Sequence, residues 1–198
     1  MAEGLIQLAP ALARSNGRFA PSPTGPLHLG NLRTALIAWC CARSTGSGFA
    51  IRIEDLDRAR CRAGSAEQQL NDLTALGLEW DRPVVVQSER TALYADALGQ
   101  LRSNGLLYEC WCTRAEIREA SSAPHGAANR YPGSCRDLSA AQLAKRRASG
   151  RKPALRVRAE GARLQFFDRA GGEQEGAVDD FVVARQDGAF AYHLAVVV

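Results

Sequence analysis

The sequence lacks any apolar run approaching the roughly 20 residues of a membrane-spanning helix. Residues 1–16 do not join a basic start to a long apolar stretch and a small-residue cleavage site. Both absences lead us to expect a cytoplasmic protein with no membrane attachment. Lysine is scarce: Lys145 and Lys152 are the only two, and arginine supplies the rest of the 25 basic residues. Against 21 acidic residues the net charge is +4, spread along the chain, so a polybasic footprint is lacking too. Arginine nevertheless suits phosphate, whose oxygens match its planar fork. Repeats and low-complexity tracts are absent. Hydrophobic residues at 46%, charged at 23% and aromatic at 7% exclude disordered, collagen-like and coiled-coil chains. A length of 198 residues fits one domain carrying a small insert.

What is present begins with a strand at Gly17–Ala20, a loop made rigid by three prolines in Pro21–Pro26, and a helix over Leu27–Ser44. The helical face is carried by Leu29, Leu32, Leu36, Ile37, Trp39 and Cys40. A strand at Phe49–Ile53 runs into the acidic cluster Glu54, Asp55 and Asp57, and Ser65–Gln68 resembles a capping box for a helix reaching about Leu76. A strand at Val84–Val86 and a helix over Glu89–Ser103 complete an alternation that predicts a parallel α/β sheet. The pattern then changes. Leu106–Cys112 reads as extended, Thr113–Glu116 caps a short helix, a loop runs to Arg136, and Ser139–Gln142 opens another helix. Short strands are expected at Leu155–Val157, Gln165–Phe167, Phe181–Val183 and Phe190–Val198.

Ligands in open α/β sheets bind beyond the carboxyl ends of strands, where a helix N-terminus offers N–H groups to phosphate. The stretch from Arg18 to Asn31 falls at such a point. It sets His28 on the first helical turn as a donor to phosphate oxygens, and Gly30 lets a nucleotide approach closely.

Six cysteines in a chain of this length without an export signal are expected to stay reduced. Cys40, Cys41 and Cys61 read as small buried or incidental side chains. Cys110, Cys112 and Cys135 flank a loop long enough to fold back, and three sulfurs suit zinc. Tyr131, His125 or Asp137 could be the fourth ligand; on ligand chemistry alone His125 is preferred, nitrogen being commoner than phenolate. Such a site would be structural.

The string Arg18-Phe-Ala-Pro-Ser-Pro-Thr-Gly-Pro-Leu-His-Leu-Gly-Asn31 resembles the glutamyl class I aminoacyl-tRNA synthetases. Arg52-Ile-Glu-Asp-Leu-Asp57 and Phe190-Ala-Tyr-His-Leu-Ala195 resemble two further motifs of that family, in the same order. The resemblance implies a Rossmann-like parallel sheet with a small zinc-binding insert subdomain. It implies ATP held by His28, Gly30 and Asn31, with Asn31 standing where the motif's last His is usual, and Mg2+ accompanying the ATP. It further implies an L-glutamate site formed by Arg18, Phe19, Ala20, Pro21, Ser22, Glu54 and Tyr192, with Tyr192 on a strand flooring the pocket. Ser22 favours glutamate, since the glutaminyl relatives carry Glu there. The charges suit the substrate: a cation for the side-chain carboxylate and an anion for the ammonium, which Arg18 and Glu54 at successive strand ends can supply.

Cys-Trp-Cys112 followed by Tyr131-Pro-Gly-Ser-Cys135 is similar to the pattern of the glutamyl-queuosine tRNA(Asp) branch of the family. That resemblance implies Tyr131 as the fourth ligand and queuosine-containing tRNA(Asp) as the partner. Asp137 stands where zinc-bearing canonical glutamyl enzymes place a final His. The expected organisation is a tail at 1–16, the first half of the catalytic domain at 17–106, the zinc-binding and acceptor-type insert at 107–188, and the start of the second half at 189–198. The family's lysine loop is not in the sequence, which implies a chain that alone cannot complete adenylation. Alternatives are a canonical glutamyl-tRNA synthetase acting on tRNA(Glu), another nucleotidyltransferase with an HxGH-type motif, and a non-catalytic zinc-stabilised RNA-binding module.

Overall fold

The computed structural model describes residues 6–7, 16–121, 131–168 and 171–198. The chain divides into two compact units, one of residues 10–91 and one of residues 92–198 with 1–9. Strand β1 (Ile6–Gln7) is followed by β2 (Gly17–Phe19), helix α1 (Leu29–Ser44), β3 (Phe49–Ile53), α2 (Ser65–Ala75), β4 (Val85–Val86) and a 3-10 turn at Gln87–Arg90.

In the unit of residues 10–91, β2, β3 and β4 form the expected parallel sheet, with Arg18 opposite Ala50 and Arg52 opposite Val85. β3 lies at its centre and is covered on both faces: Phe49, Ile51, Arg52 and Ile53 are all buried. Ala35 and Ala42 of α1, with Leu73 and Leu78, close the core against Phe19 and Phe49.

Helix α1 forms where its apolar spacing predicts, yet it turns a different side inward. The buried residues are the small Ala35 and Ala42, while Leu29 is 83% exposed, Leu36 and Ile37 are about half exposed and Cys40 and Cys41 lie at the surface. Close approach is the reason. A Cβ on Gly17 would lie 2.7 Å from the Ala42 Cβ, so helix and strand meet at a distance only small side chains permit. Cys61 is half-buried, its thiol directed at the Asp57 carbonyl. The capping box expected at Ser65 does not form either: Gly64, with φ 76°, is the N-cap and makes no side-chain cap. Ser65 is already the first helical residue, and its N–H meets the Arg62 carbonyl of the preceding turn at 3.2 Å.

The second unit contains α3 (Thr91–Ser103), β5 (Leu107–Cys110), α4 (Arg114–Ser121), α5 (Ala140–Ala148), β6 (Ala154–Val157), β7 (Arg163–Asp168), β8 (Gly172–Ala177), β9 (Val182–Ala184) and α6 (Tyr192–Val197). Strands β5, β6 and β9 are antiparallel, with Tyr108 opposite Arg156 and Cys110 opposite Ala154. Strands β7 and β8 form a hairpin whose free side takes β1 in parallel. Capping boxes start α4, through Thr113 and Glu116, and α5, through Ser139 and Gln142.

The strand expected over Phe190–Val198 is a correction: only Phe190 bridges Ala184, and Tyr192–Val197 is helical. Ala195 N–H reaches the Ala191 carbonyl at 3.2 Å and Val198 N–H the Leu194 carbonyl at 3.1 Å. An unbroken apolar run carries neither the period of a strand nor that of a helix, and its β-branched valines favour a strand on propensity alone. Among the described residues no helix is long and apolar enough to cross a membrane.

Candidate functional site

The loop between β2 and α1 is built from rigid residues and then tied down. Phe19 enters the core, so strand alternation leaves Arg18 on the exposed side. Ala20 is half-buried, Pro21 buried and Ser22 exposed. The Pro21 carbonyl accepts the Glu54 N–H at 2.9 Å, which joins the loop to the end of β3. The Gln69 amide, on a residue only 2% exposed, donates to the carbonyls of Ser22 at 3.1 Å and Gly25 at 2.7 Å. A cavity of about 510 Å³ opens over this loop, lined by Phe19, Ala20, Pro21, Ser22, His28 and Asn31 and also by Arg62 and Gln69. Sequence reasoning missed the last two. Gln69 cannot be told from its neighbour Gln68 until α2 packs.

His28 is the N-cap of α1. Its Nδ1 accepts the Asn31 N–H at 3.3 Å, and the Asn31 Oδ1 accepts the His28 N–H at 3.1 Å. An accepting Nδ1 places the proton of the neutral ring on Nε2, where it is a donor. Gly30 is required by this cap: a Cβ there would stand 2.9 Å from the imidazole Cε1 and 3.0 Å from Nδ1. Asn31 thus completes a reciprocal cap, and the start of a 16-residue helix offers its positive end to an anion.

Glu54, at the end of β3, is paired with a residue that sequence reasoning did not single out. Arg52 donates from Nη2 to the Glu54 Oε1 at 2.9 Å, both side chains being nearly buried, and Gln87 Nε2 lies 3.4 Å from the same oxygen. Residues two apart on a strand share a face, so the Arg52–Glu54 spacing was the available signal. Asp55 accepts both the N–H and the hydroxyl of Ser88, at 2.8 and 2.6 Å. Tyr192 belongs to the other unit, on the first turn of α6 rather than on a strand, and is 61% exposed.

The three insert cysteines come together. Their sulfurs lie within 4.8 Å of one another, with Cys112 and Cys135 3.6 Å apart. The Tyr131 hydroxyl joins them, 3.3 Å from the Cys110 Sγ and 3.9 Å from the Cys112 Sγ, and accepts the Cys135 N–H at 2.9 Å. A tetrahedral zinc with bonds of about 2.3 Å spaces its sulfurs by about 3.8 Å, so the donor set fits. Asp137 turns instead to Arg158 at 2.7 Å, and His125 lies outside the described residues. Burial, reinforced by negative charge at Cys110, pushes the Cys112 thiol up to about 12 and raises the Tyr131 phenol above its usual range. Burial also acts to raise Cys135, but hydrogen bonds from the Trp111 backbone, Cys112 and Tyr131 outweigh it and hold that thiol below the usual value.

Around the cluster, Asp180, 1% exposed, accepts the Tyr108 hydroxyl at 2.6 Å, the Arg136 Nε at 2.7 Å and the Ala159 N–H at 2.9 Å. Burial alone would raise its carboxyl; these donors hold it below the ordinary value. Asp179 accepts the Tyr131 N–H at 2.9 Å. The two aspartates therefore fasten Tyr131 and Arg136, which flank Cys135, to the segment before β9.

Residues 16–198 match the catalytic domain of the class I tRNA synthetases of the E and Q type, and the chain belongs to that family. A glutamyl-Q tRNA(Asp) synthetase from Nocardia farcinica is 57% identical over 92% of this chain and 58% of its own. The protein of that name from Symbiobacterium thermophilum is 48% identical over 92% and 61%. The chain thus spans about three-fifths of the length of these curated relatives. Among solved structures, a glutamate tRNA ligase from Elizabethkingia meningosepticum in complex with its amino acid superposes with a TM-score of 0.75. It is 30% identical over 93% of this chain and 41% of that one.

Proposed function

We propose that this chain is the glutamate-activating part of a glutamyl-queuosine tRNA(Asp) synthetase. The observation that carries the chemistry is the cavity lined by Ala20, Pro21, Ser22, His28 and Asn31, beside which the Pro21 carbonyl accepts the Glu54 main-chain N–H and the capped His28 opens α1. The likeness to relatives of that name supports the branch. In the proposed reaction the α-carboxylate of L-glutamate attacks the α-phosphorus of ATP, and pyrophosphate leaves with the bonding electrons of the P–O bond. The glutamyl group then passes from AMP to queuosine in the anticodon loop of tRNA(Asp).

Arg18 would meet the side-chain carboxylate of glutamate and Glu54 its ammonium. Phe19, Ala20, Pro21 and Ser22 would shape that pocket, and the family resemblance also assigns Tyr192 to glutamate. His28, through Nε2–H, and the N-terminal amides of α1, shaped by Gly30 and Asn31, would bind phosphate. Such chemistry rests on positioning and on neutralising charge. Mg2+ bound with ATP would neutralise the phosphates. One structural Zn2+ would be held by Cys110, Cys112, Tyr131 and Cys135, fastening an insert that extends over residues 107–188 between the first half of the catalytic domain, 17–106, and the second, opening at 189.

The experiment is charging by the full-length, cytoplasmic protein. Glutamate should join tRNA(Asp) that contains queuosine, and neither the same tRNA lacking it nor tRNA(Glu). The similarity to glutamate tRNA ligases supports one second reading, a canonical glutamyl-tRNA synthetase, which charging of tRNA(Glu) would establish instead.

A further inference from the structure

Arg156 lies on β6 opposite Tyr108, on the strand face that also carries Cys110 two residues along β5 from Tyr108. It is 8% exposed. Its Cζ sits 3.9 Å from the centroid of the Tyr131 ring, and its Nη1 donates to the Asp180 main-chain carbonyl at 2.5 Å. Its buried Nε has no hydrogen-bond partner, and among the described residues it forms no ion pair. The nearby carboxylates are engaged elsewhere: Asp180 with Tyr108, Arg136 and the Ala159 N–H, Asp179 with the N–H groups of Tyr131 and Asp180.

A buried guanidinium with, among the described residues, one hydrogen bond and no ion-pair partner is expensive to keep. Three thiolates and a phenolate around a divalent ion outnumber its positive charge, so the loaded cluster is an anion. We propose that Arg156 is the buried counter-ion of the metal centre, positioning Tyr131 by its stacked guanidinium and balancing the negative charge of the loaded donor set. This rests on the reading of Cys110, Cys112, Tyr131 and Cys135 as metal ligands. Arg156 touches no metal itself. Its charge sets how tightly the metal is held, and the cation–π contact fixes the phenol over the three sulfurs.

The test is zinc affinity of the full-length protein, by competition with a chromophoric chelator, for wild type, Arg156→Gln and Arg156→Lys. Gln removes the charge but keeps an N–H for the Asp180 carbonyl; Lys keeps the charge. Arg156→Gln should weaken Zn2+ binding about 10- to 100-fold, and Arg156→Lys should restore most of that loss. A purely structural arginine would destabilise metal-free and loaded protein alike and leave affinity unchanged, so unaltered affinity in Arg156→Gln overturns the proposal. So does a lysine variant as weak as the glutamine one. Should Arg156→Gln not fold, Arg156→Met takes its place under the same criteria. Wild-type protein that binds no zinc overturns the metal reading as well, an outcome distinct from a wild type that binds zinc and a variant that binds it equally.

Discussion

Gln69 offers the sharpest view of how packing in this fold makes a site. Its amide holds two carbonyls of the Pro-rich loop, those of Ser22 and Gly25, from inside the core. Replacing Gln69 with Leu keeps the volume nearly constant and removes both donors. A buried acceptor left without its donor costs about 1–3 kcal/mol, but the Gln69 Oε1 has no hydrogen-bond partner to lose, which offsets part of that penalty. The Ser22 carbonyl keeps the Thr24 N–H at 2.8 Å, so the expected net loss is about 1 kcal/mol, the lower end for the one carbonyl, that of Gly25, left without its donor. In a chain of this size that lowers the melting temperature by roughly 2–4 °C. Because the carbonyls belong to the loop, the same substitution in the full-length protein should raise KM for glutamate and ATP in glutamate-dependent ATP–pyrophosphate exchange, while zinc content stays unchanged. Thermal unfolding followed by circular dichroism reads the first effect and exchange kinetics the second. A Gln69→Leu protein with wild-type melting and wild-type KM values would show that the amide does not hold the loop, and the reasoning would fail.

Gly30→Ala should displace the His28 ring, since its Cβ would stand 2.9 Å from the imidazole; loss of the cap is worth about 1 kcal/mol, and exchange should fall more steeply than stability. Asp180 is held below the ordinary carboxyl value by its donors. Its stabilising contribution is therefore full above the unfolded value of about 3.9 and disappears as pH falls through the lower folded value. Asp180→Asn should lose about 3 kcal/mol at neutral pH and flatten the acid limb of a denaturation curve; an unchanged acid limb would remove Asp180 from the explanation. Chelation of zinc should lower the melting temperature of wild type but not of Cys135→Ser, as differential scanning calorimetry would show.

The elements were legible where periodicity met punctuation. The rigid loop, α1 and the three parallel strands follow from prolines, glycines and apolar spacing in residues 17–86. The face of α1 did not, because spacing reports hydrophobicity and the contact with β2 is decided by size: the small Ala42 fits beside Gly17, and Ala35 shares its buried side while Leu36 and Ile37 turn outward. Helix α6 was unreadable in an apolar run without period, and β8, Gly172–Ala177, because its Gly, Glu and Gln residues form a strand only through pairing with β7. The cysteine cluster was visible from spacing alone. Of its supports, Arg136 adjoins Cys135, whereas Arg156, Asp179 and Asp180 were not visible, since they are distant in sequence from all three cysteines and ordinary in composition.

The most direct measurement of the proposed function is the transfer of labelled glutamate by the full-length protein to purified tRNA(Asp) with and without queuosine. Label on the queuosine-containing tRNA alone, lost in Arg18→Ala and Glu54→Ala, is the expected result. Label on tRNA(Glu), or on tRNA(Asp) irrespective of queuosine, would contradict it.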